Sequence, residues 1–145
     1  MTANTKEIRH FQDEFYFLSN FYPSEVVLEG KAYPTVEHAF QAAKTRDPEE
    51  RKRIRKAGTP GKAKQLGHRV TLRKDWEKVK IGIMEALVRD KFSRHPELGA
   101  QLLITDKRKI IEENNWNDTF WGECNGKGHN HLGKILMRIR EELRS

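Results

Sequence analysis

Three side chains with reactive or polarising ends, Glu37, Gln41 and Lys44, recur at i, i+4 and i+7. On a helix that spacing lines an acid, an amide and an amine along one stripe. Such a trio forms either a charge-laced surface or the wall of a reactive pocket. A carboxylate can stabilise a cation developing on a sugar carbon, and a neutral amine can attack an electrophilic carbon. The plainer alternative is also physical. Glu37 in the first turn and Lys44 in the last both complement the helix macrodipole, by roughly 0.3–1 kcal/mol each. Val36, Phe40 and Ala43 make the apolar counterpart, so the pattern predicts a helix that buries one face and presents the other.

Three further segments carry chemistry-bearing residues. Residues 114–122 hold Trp116, Phe120 and Trp121 with Asp118 among them, in a stretch that otherwise reads as loop. Aromatic faces there can stack on nucleobases, at roughly 1–3 kcal/mol per contact, or pin the loop to a core. Residues 122–133 contain Gly122, Gly126, Gly128 and Gly133 with Lys127. Their backbone N–H groups, with the N-terminus of a following helix, are expected to face an anion. The order of a Walker A loop is absent. Cys124, His129 and His131 lack a second Cys/His pair at metal spacing, so no metal site is expected. Arg73 and Lys74 precede a helix capped by Asp75, where they can hold a phosphate or stand in solvent. Trp76 reads most simply as core.

These segments need elements to position them. At 145 residues the chain is expected to be one domain, long enough to bury a proper core. Phe15–Leu18 and Val26–Leu28 read as short strands, with a turn at Glu29, Gly30 and Lys31. Thr35 after Pro34 caps a helix to about Thr45, and Asp47-Pro48 opens the next. Gly58 to Gly61 interrupts, and a short helix runs through Ala63 and Leu66 to Gly67. Asp75 caps the longest helix, with Trp76, Val79, Ile83, Ala86, Leu87 and Val88 as its core face. Helix is predicted again over 96–105, a strand over 109–113, loop over 114–130, and a closing helix from His131 with Leu132, Ile135, Leu136 and Ile139 inward. The expected fold class is α+β, a helix-dominated single domain with a small sheet.

The net charge is +7, from 28 basic and 21 acidic residues, which favours anionic partners such as nucleotides or nucleic acid. The lone Cys124 rules out an intramolecular disulfide. No apolar run approaches membrane-spanning length, and Met1 to Gln12 is too polar for a signal peptide. A cytoplasmic protein without membrane contact is expected; oligomeric state is not legible.

Taken together, the chain resembles the NADAR (YbiA-like) family. The resemblance rests on seven blocks in family order: residues 17–21, 34–44, 63–67, 72–76, 84–92, 117–122 and 126–137. It covers about 15–143. It implies a YbiA-like fold and an enzyme, without cofactor, that hydrolyses an N-glycosidic bond between a ribose carbon and a nitrogen. One branch of the family acts on phosphoribosylamino-pyrimidine intermediates of riboflavin synthesis. Another removes ADP-ribose from modified guanine in nucleic acid. Carried over by motif, the catalytic positions are Glu37, Lys44 and Asp118. The substrate-binding positions are Asn20, Phe21, Gln41, Trp76, Trp121, Gly122, Lys127 and His131. The chain departs from many members at Val36, where they have serine, and at His131, where they have arginine. Its Gly-rich loop is also shorter than in some relatives.

Two routes follow for such a reaction. Glu37 or Asp118 can stabilise the sugar cation and orient water, while Trp76 or Trp121 stacks the base. Alternatively, Lys44 attacks the anomeric carbon and forms a Schiff base, which needs a lowered amine pKa; a close Glu37 would push that pKa up. Outside catalysis, the alternative is a module that binds ADP-ribose or NAD without cleaving it. A nucleic-acid-binding protein without an active site is the third reading.

Overall fold

The computed structural model describes residues 6–145; the first five residues of the polar N-terminal stretch lie outside the described residues. The chain divides into two compact units. One runs up to Ser19 and again from His95 to Ser145; the other is Asn20–Arg94. No helix among the described residues is long and apolar enough to cross a membrane.

The Asn20–Arg94 unit begins with an antiparallel hairpin, β1 (Val26–Leu28) and β2 (Lys31–Tyr33), in the register Val26 to Tyr33 and Leu28 to Lys31. Glu29 and Gly30 form its two-residue turn at φ 48° and 81°. Two left-handed residues give the turn whose twist matches the strands, and glycine takes the second without strain. The hairpin is tied down by the Val27 N–H, which donates to Asp90 Oδ2 at 2.9 Å.

Helix α1 (Val36–Ala43) starts as its sequence dictates, with the Thr35 hydroxyl accepting from the His38 N–H at 3.0 Å. His38 then fastens the helix. Its Nε2 lies 3.0 Å from the Ala57 carbonyl, which can only accept, so Nε2 carries a proton. Helices α2 (Pro48–Arg55) and α3 (Pro60–Gly67) each have proline in the first turn after a capping Asp47 or Thr59. Helix α4 (Trp76–Arg94) completes the unit. The hairpin, α2, α3 and α4 all pack on α1.

The second unit carries a 3-10 helix (Asp13–Leu18), α5 (Pro96–Ile104), the 105–130 loop and α6 (His131–Arg144), with α5 packed on α6. The inward face of α6 is as expected: Leu132, Ile135, Leu136 and Ile139 are buried.

Several expected elements differ. Phe15–Leu18 is not a strand but part of the 3-10 helix, because Phe17 and Leu18 are buried in succession, which an alternating strand does not do. Residues 109–113 are not a sheet strand. Ile110 makes an isolated parallel bridge with Ile8, through Ile8 N–H to Lys109 O and Ile111 N–H to Ile8 O, both 2.8 Å. Among the described residues the sheet is therefore the hairpin alone. Lys31, read as turn, opens β2. On α4, Ala86 is exposed and Val79 and Ile83 are half-buried; Met84, Leu87, Val88, Lys91 and Phe92 form the buried face with Trp76. Asp75 precedes that helix, but its carboxylate grips Arg73 at 2.7 and 3.1 Å.

Lys91 is 1 % exposed, with its Nζ 5.6 Å from the Tyr22 ring centre. Burial pushes its pKa down to about 7. Below that value the folded and unfolded chains both hold the proton, and the cost of burying the charge is at its fullest. Above it the unfolded chain keeps a proton that the folded chain has lost, so stability rises with pH by up to ~1.4 kcal/mol per unit. Lys91→Met removes that dependence. Urea unfolding of both proteins will show wild type gaining on the variant by about 2 kcal/mol between about pH 7 and pH 9. Parallel pH curves for the two would refute the assignment.

Candidate functional site

The stripe on α1 is not a surface. All eight residues of α1 are buried, including Glu37 at 9 % exposure and Gln41 at 5 %. The sequence predicts one presented face; instead α1 is covered on several sides by α2, α3, α4 and the hairpin. Glu37 and Gln41 are held together, with Gln41 Nε2 donating to Glu37 Oε2 at 2.5 Å. The other end of that amide, Gln41 Oε1, is buried and has no hydrogen-bond partner among the described residues. A buried acceptor without a donor costs about 1–3 kcal/mol, so it is a place where an incoming donor is rewarded.

Lys44 sits at the C-cap of α1 and is half-buried. Burial is the largest influence on its ammonium and lowers the pKa; Glu37 opposes this, while Lys64 and Lys80 lower it further. The net shift is downward. The competition left open by the sequence is thus decided against Glu37, by desolvation and by two cations that the sequence reading did not single out. Lys64 comes from α3 and Lys80 from α4, where it pairs with Glu77 at 2.7 Å. No signal in the sequence alone marks them, because each acts on Lys44 from another helix. Lys64 is three residues before Gly67, which touches Gln41, and Lys80 is four after Trp76, which packs on Phe40.

Gly67 fixes how closely α3 approaches. A Cβ there would collide with the Gln41 side-chain amide. Gly67→Ala is expected to push that amide aside, break its bond to Glu37 and lower kcat by at least about tenfold, at a stability cost of about 1–3 kcal/mol. Steady-state kinetics and thermal unfolding on one preparation check this; unchanged kcat would mean that the amide's position is immaterial.

The remaining predicted residues of this unit have clear places. The Asn20 carbonyl accepts from the Glu37 N–H at 3.1 Å, and its side-chain amide points at Met84 Sδ, 3.5 Å away. Phe21 is half-buried. Trp76 is 6 % exposed with its ring 5.0 Å from Phe40, so the structure places it in the core.

In the other unit, Asp118 organises its loop. Its Oδ1 accepts from the Phe120 and Trp121 N–H groups at 3.1 and 3.0 Å. Asn114 closes the turn from the other side, through Asp118 N–H and Asp118 O. Phe120, Trp121 and His131 form an aromatic cluster, with Phe120 4.8 Å from Trp121 and 4.5 Å from His131, and His129 stacks on His131 at 5.5 Å. Gly122 fits against Glu112 and Asn114, where a Cβ would clash. Lys127 is exposed in a tight turn with Cys124.

The start of α6, expected to face an anion, has part of its donor set already engaged. The N–H groups of Asn130, His131 and Leu132 donate to the carbonyls of Gly122, Phe120 and Trp121. The loop carbonyls thereby take three of the donors expected to face an anion. Among the described residues, no group of three or more His, Cys, Asp or Glu side chains could hold a metal ion.

Comparison with known proteins bears on this geometry. The chain is similar to the N-glycosidase YbiA of Shigella boydii, with 42 % identity over 134 residues, 90 % of this chain and 83 % of that protein. It is 36 % identical over 130 residues to a riboflavin biosynthesis protein of Vibrio vulnificus, 88 % of this chain but 35 % of that longer protein. The NMR structure of Escherichia coli YbiA matches with a TM-score of 0.85 at 38 % identity, over 98 % of this chain and 88 % of that one. The NADAR domain model matches residues 8–144, running without a break through both units, and with these relatives it establishes that the chain belongs to the NADAR domain family.

Proposed function

We propose that this protein is a hydrolase of N-glycosyl bonds, cleaving a ribose C–N bond in a nucleotide-type substrate. The observation that carries the reading is an amine, Lys44, whose pKa is lowered although a buried carboxylate, Glu37, acts on it in the opposite direction. A lowered amine is what a nucleophilic lysine requires. The similarity to an N-glycosidase and to a riboflavin biosynthesis protein supports the reaction class.

In the proposed sequence the neutral Lys44 amine attacks the anomeric carbon. The C–N bond breaks, and the departing nitrogen takes a proton. Opening of the sugar ring leaves a Schiff base, which water hydrolyses to release the sugar and regenerate the amine. Glu37 stabilises positive charge on the anomeric carbon and orients the water. Gln41 holds Glu37 with its N–H and offers Oε1 to a substrate hydroxyl or amino group. Asp118 is assigned to holding its loop through Oδ1. Trp121, Gly122, Lys127 and His131 retain their substrate-contact roles by the family resemblance alone, as do Asn20, Phe21 and Trp76. The uninterrupted family match supports treating the chain as one NADAR domain. The single free cysteine supports a cytoplasmic location.

Two substrates fit. The riboflavin-named relative supports a phosphoribosylamino-pyrimidine. The net charge of +7 supports ADP-ribosylated guanine in nucleic acid. Mass spectrometry of the protein incubated with each separately decides between them by release of the base. Binding of ligand that emerges intact from both incubations would replace the hydrolase with the non-catalytic ADP-ribose or NAD module.

A further inference from the structure

His38 follows Glu37 on α1, is buried, and has no part in the proposed bond cleavage. Both of its ring nitrogens are engaged. Nδ1 lies 2.8 Å from Thr35 Oγ1, and Nε2 lies 3.0 Å from the Ala57 carbonyl. That carbonyl only accepts, so a neutral ring carries its proton on Nε2 and presents a bare Nδ1 to the Thr35 hydroxyl proton. Cap threonine, imidazole and carbonyl form one chain of hydrogen bonds with every donor pointing the same way. An imidazolium would force the Thr35 hydroxyl, itself buried, to turn its proton away from the ring.

The far end of that chain is the junction between α2 and α3. Ala57 follows the C-cap of α2, and Thr59 is the N-cap of α3, its hydroxyl accepting from the Lys62 N–H at 3.1 Å. Only Gly58 stands between the carbonyl that His38 holds and that cap. At the other end of α3, Gly67 sits so close to the Gln41 amide that a Cβ would collide with it. His38 and Gln41 are three residues apart on α1 and share a face. Helix α3 is thus tied to α1 just before its start by His38 and seated at its end on Gln41. Lys64 lies between these two points. Apolar packing sets how near two helices come, whereas a directional hydrogen bond also resists sliding.

We propose that His38 is a positioning residue of the site: as a neutral imidazole with its proton on Nε2, it holds the α2–α3 junction on α1 and so sets Gly67 against Gln41 and Lys64 toward Lys44. Its effect on turnover rests on the reading of Lys44 as the reacting amine; its effect on the titration of Lys44 does not. Glu37 of α1 favours the Lys44 ammonium, while burial, Lys64 of α3 and Lys80 of α4 disfavour it. Of the two cations, Lys64 is on the helix that His38 ties. Releasing the junction lets α3 drift, admits water beside Lys44 and withdraws Lys64, and both changes favour the charged amine.

The test follows the titration of Lys44 by NMR of its side-chain Cε and Nζ, without substrate, in wild type, His38→Asn and His38→Gln. The asparagine amide reaches about as far as Nδ1 and leaves the Ala57 carbonyl without its donor. The glutamine amide reaches as far as Nε2 and can donate there. The expected result is a Lys44 midpoint raised by at least about half a pH unit in His38→Asn and returned to within about 0.2 of wild type in His38→Gln. kcat should fall about tenfold in His38→Asn, with KM changed less, and recover in His38→Gln. The ring-nitrogen signals of His38 in wild type should show a protonated Nε2 and a bare Nδ1 throughout the Lys44 titration. If His38→Asn does not fold, Thr35→Val replaces it: loss of the hydroxyl that fixes the tautomer should put proton on Nδ1 and raise the Lys44 midpoint. A midpoint unmoved in the folded variant, a midpoint raised equally by asparagine and glutamine, or a proton on Nδ1 in wild type would each overturn the proposal. A wild type that shows the expected titrations yet cleaves no N-glycosyl bond would support the positioning role and overturn the hydrolase reading alone.

Discussion

Glu37→Gln is expected to lower kcat by about three orders of magnitude and to leave the melting temperature within about 4 °C of wild type. The two halves of that expectation come from different facts. Glu37 is nearly buried, on a helix covered by three others and a hairpin, so its charge acts in a medium that screens it poorly. A carboxylate there stabilises a developing sugar cation strongly, and a neutral amide does not. The fold, by contrast, does not need the charge. The carboxylate accepts a 2.5 Å bond from Gln41 Nε2, and the amide oxygen of glutamine accepts that bond equally well. The backbone bond from the residue 37 N–H to the Asn20 carbonyl is untouched. Loss of activity with intact unfolding behaviour is therefore the signature of chemistry at Glu37. Retained turnover would move the cation-stabilising role elsewhere and reduce Glu37 to a helix-start charge. A protein that loses both would show only that the pair is structural.

That expectation depends on burial, which the sequence did not express. The cap at Thr35 and the proline starts of α2 and α3 were legible because they are local: a side-chain oxygen or a fixed φ acts within one turn. The i, i+4, i+7 spacing of Glu37, Gln41 and Lys44 was legible for the same reason. What the pattern implied, a polar face turned to solvent, was not borne out. Polar residues mark a solvent face only when nothing else covers it, and α1 is covered on several sides. Likewise the Gly-rich segment before α6 was readable as flexible backbone, but not as a loop whose own carbonyls at 120–122 take the helix's first N–H groups. Lys64, Gly67 and Lys80 matter through contacts from other helices, and a single sequence does not show which helices meet. The 3-10 turn at Phe17 and Leu18 was lost to a related ambiguity, since a short aromatic run has no period to measure.

Lys44→Arg is expected to abolish turnover by about a thousandfold while keeping a positive charge in place, and to remove any borohydride-trapped adduct with substrate. Arginine keeps the electrostatics but cannot lose its proton to become a nucleophile. If Lys44 were only an anchor for an anion, the arginine variant would retain most activity, and wild type would give no adduct. The pH profile separates these further. The attacking form is the neutral amine, so kcat/KM should climb with pH and level off at the amine's pKa. Burial, Lys64 and Lys80 lower that pKa against the pull of Glu37, so the plateau begins below the range of an ordinary lysine. Replacing Lys64 or Lys80 by methionine removes one of the cations that disfavour a charged Lys44, and the rising limb should then shift to higher pH. Glu37→Gln removes the opposing influence and should shift whatever activity remains toward lower pH. Opposite displacements from the two kinds of variant would identify Lys44 as the titrating group, because no single alternative base is flanked by the same acid and the same two amines. A limb that stays still in both would assign the titration to another residue and leave Lys44 as a charge that positions substrate.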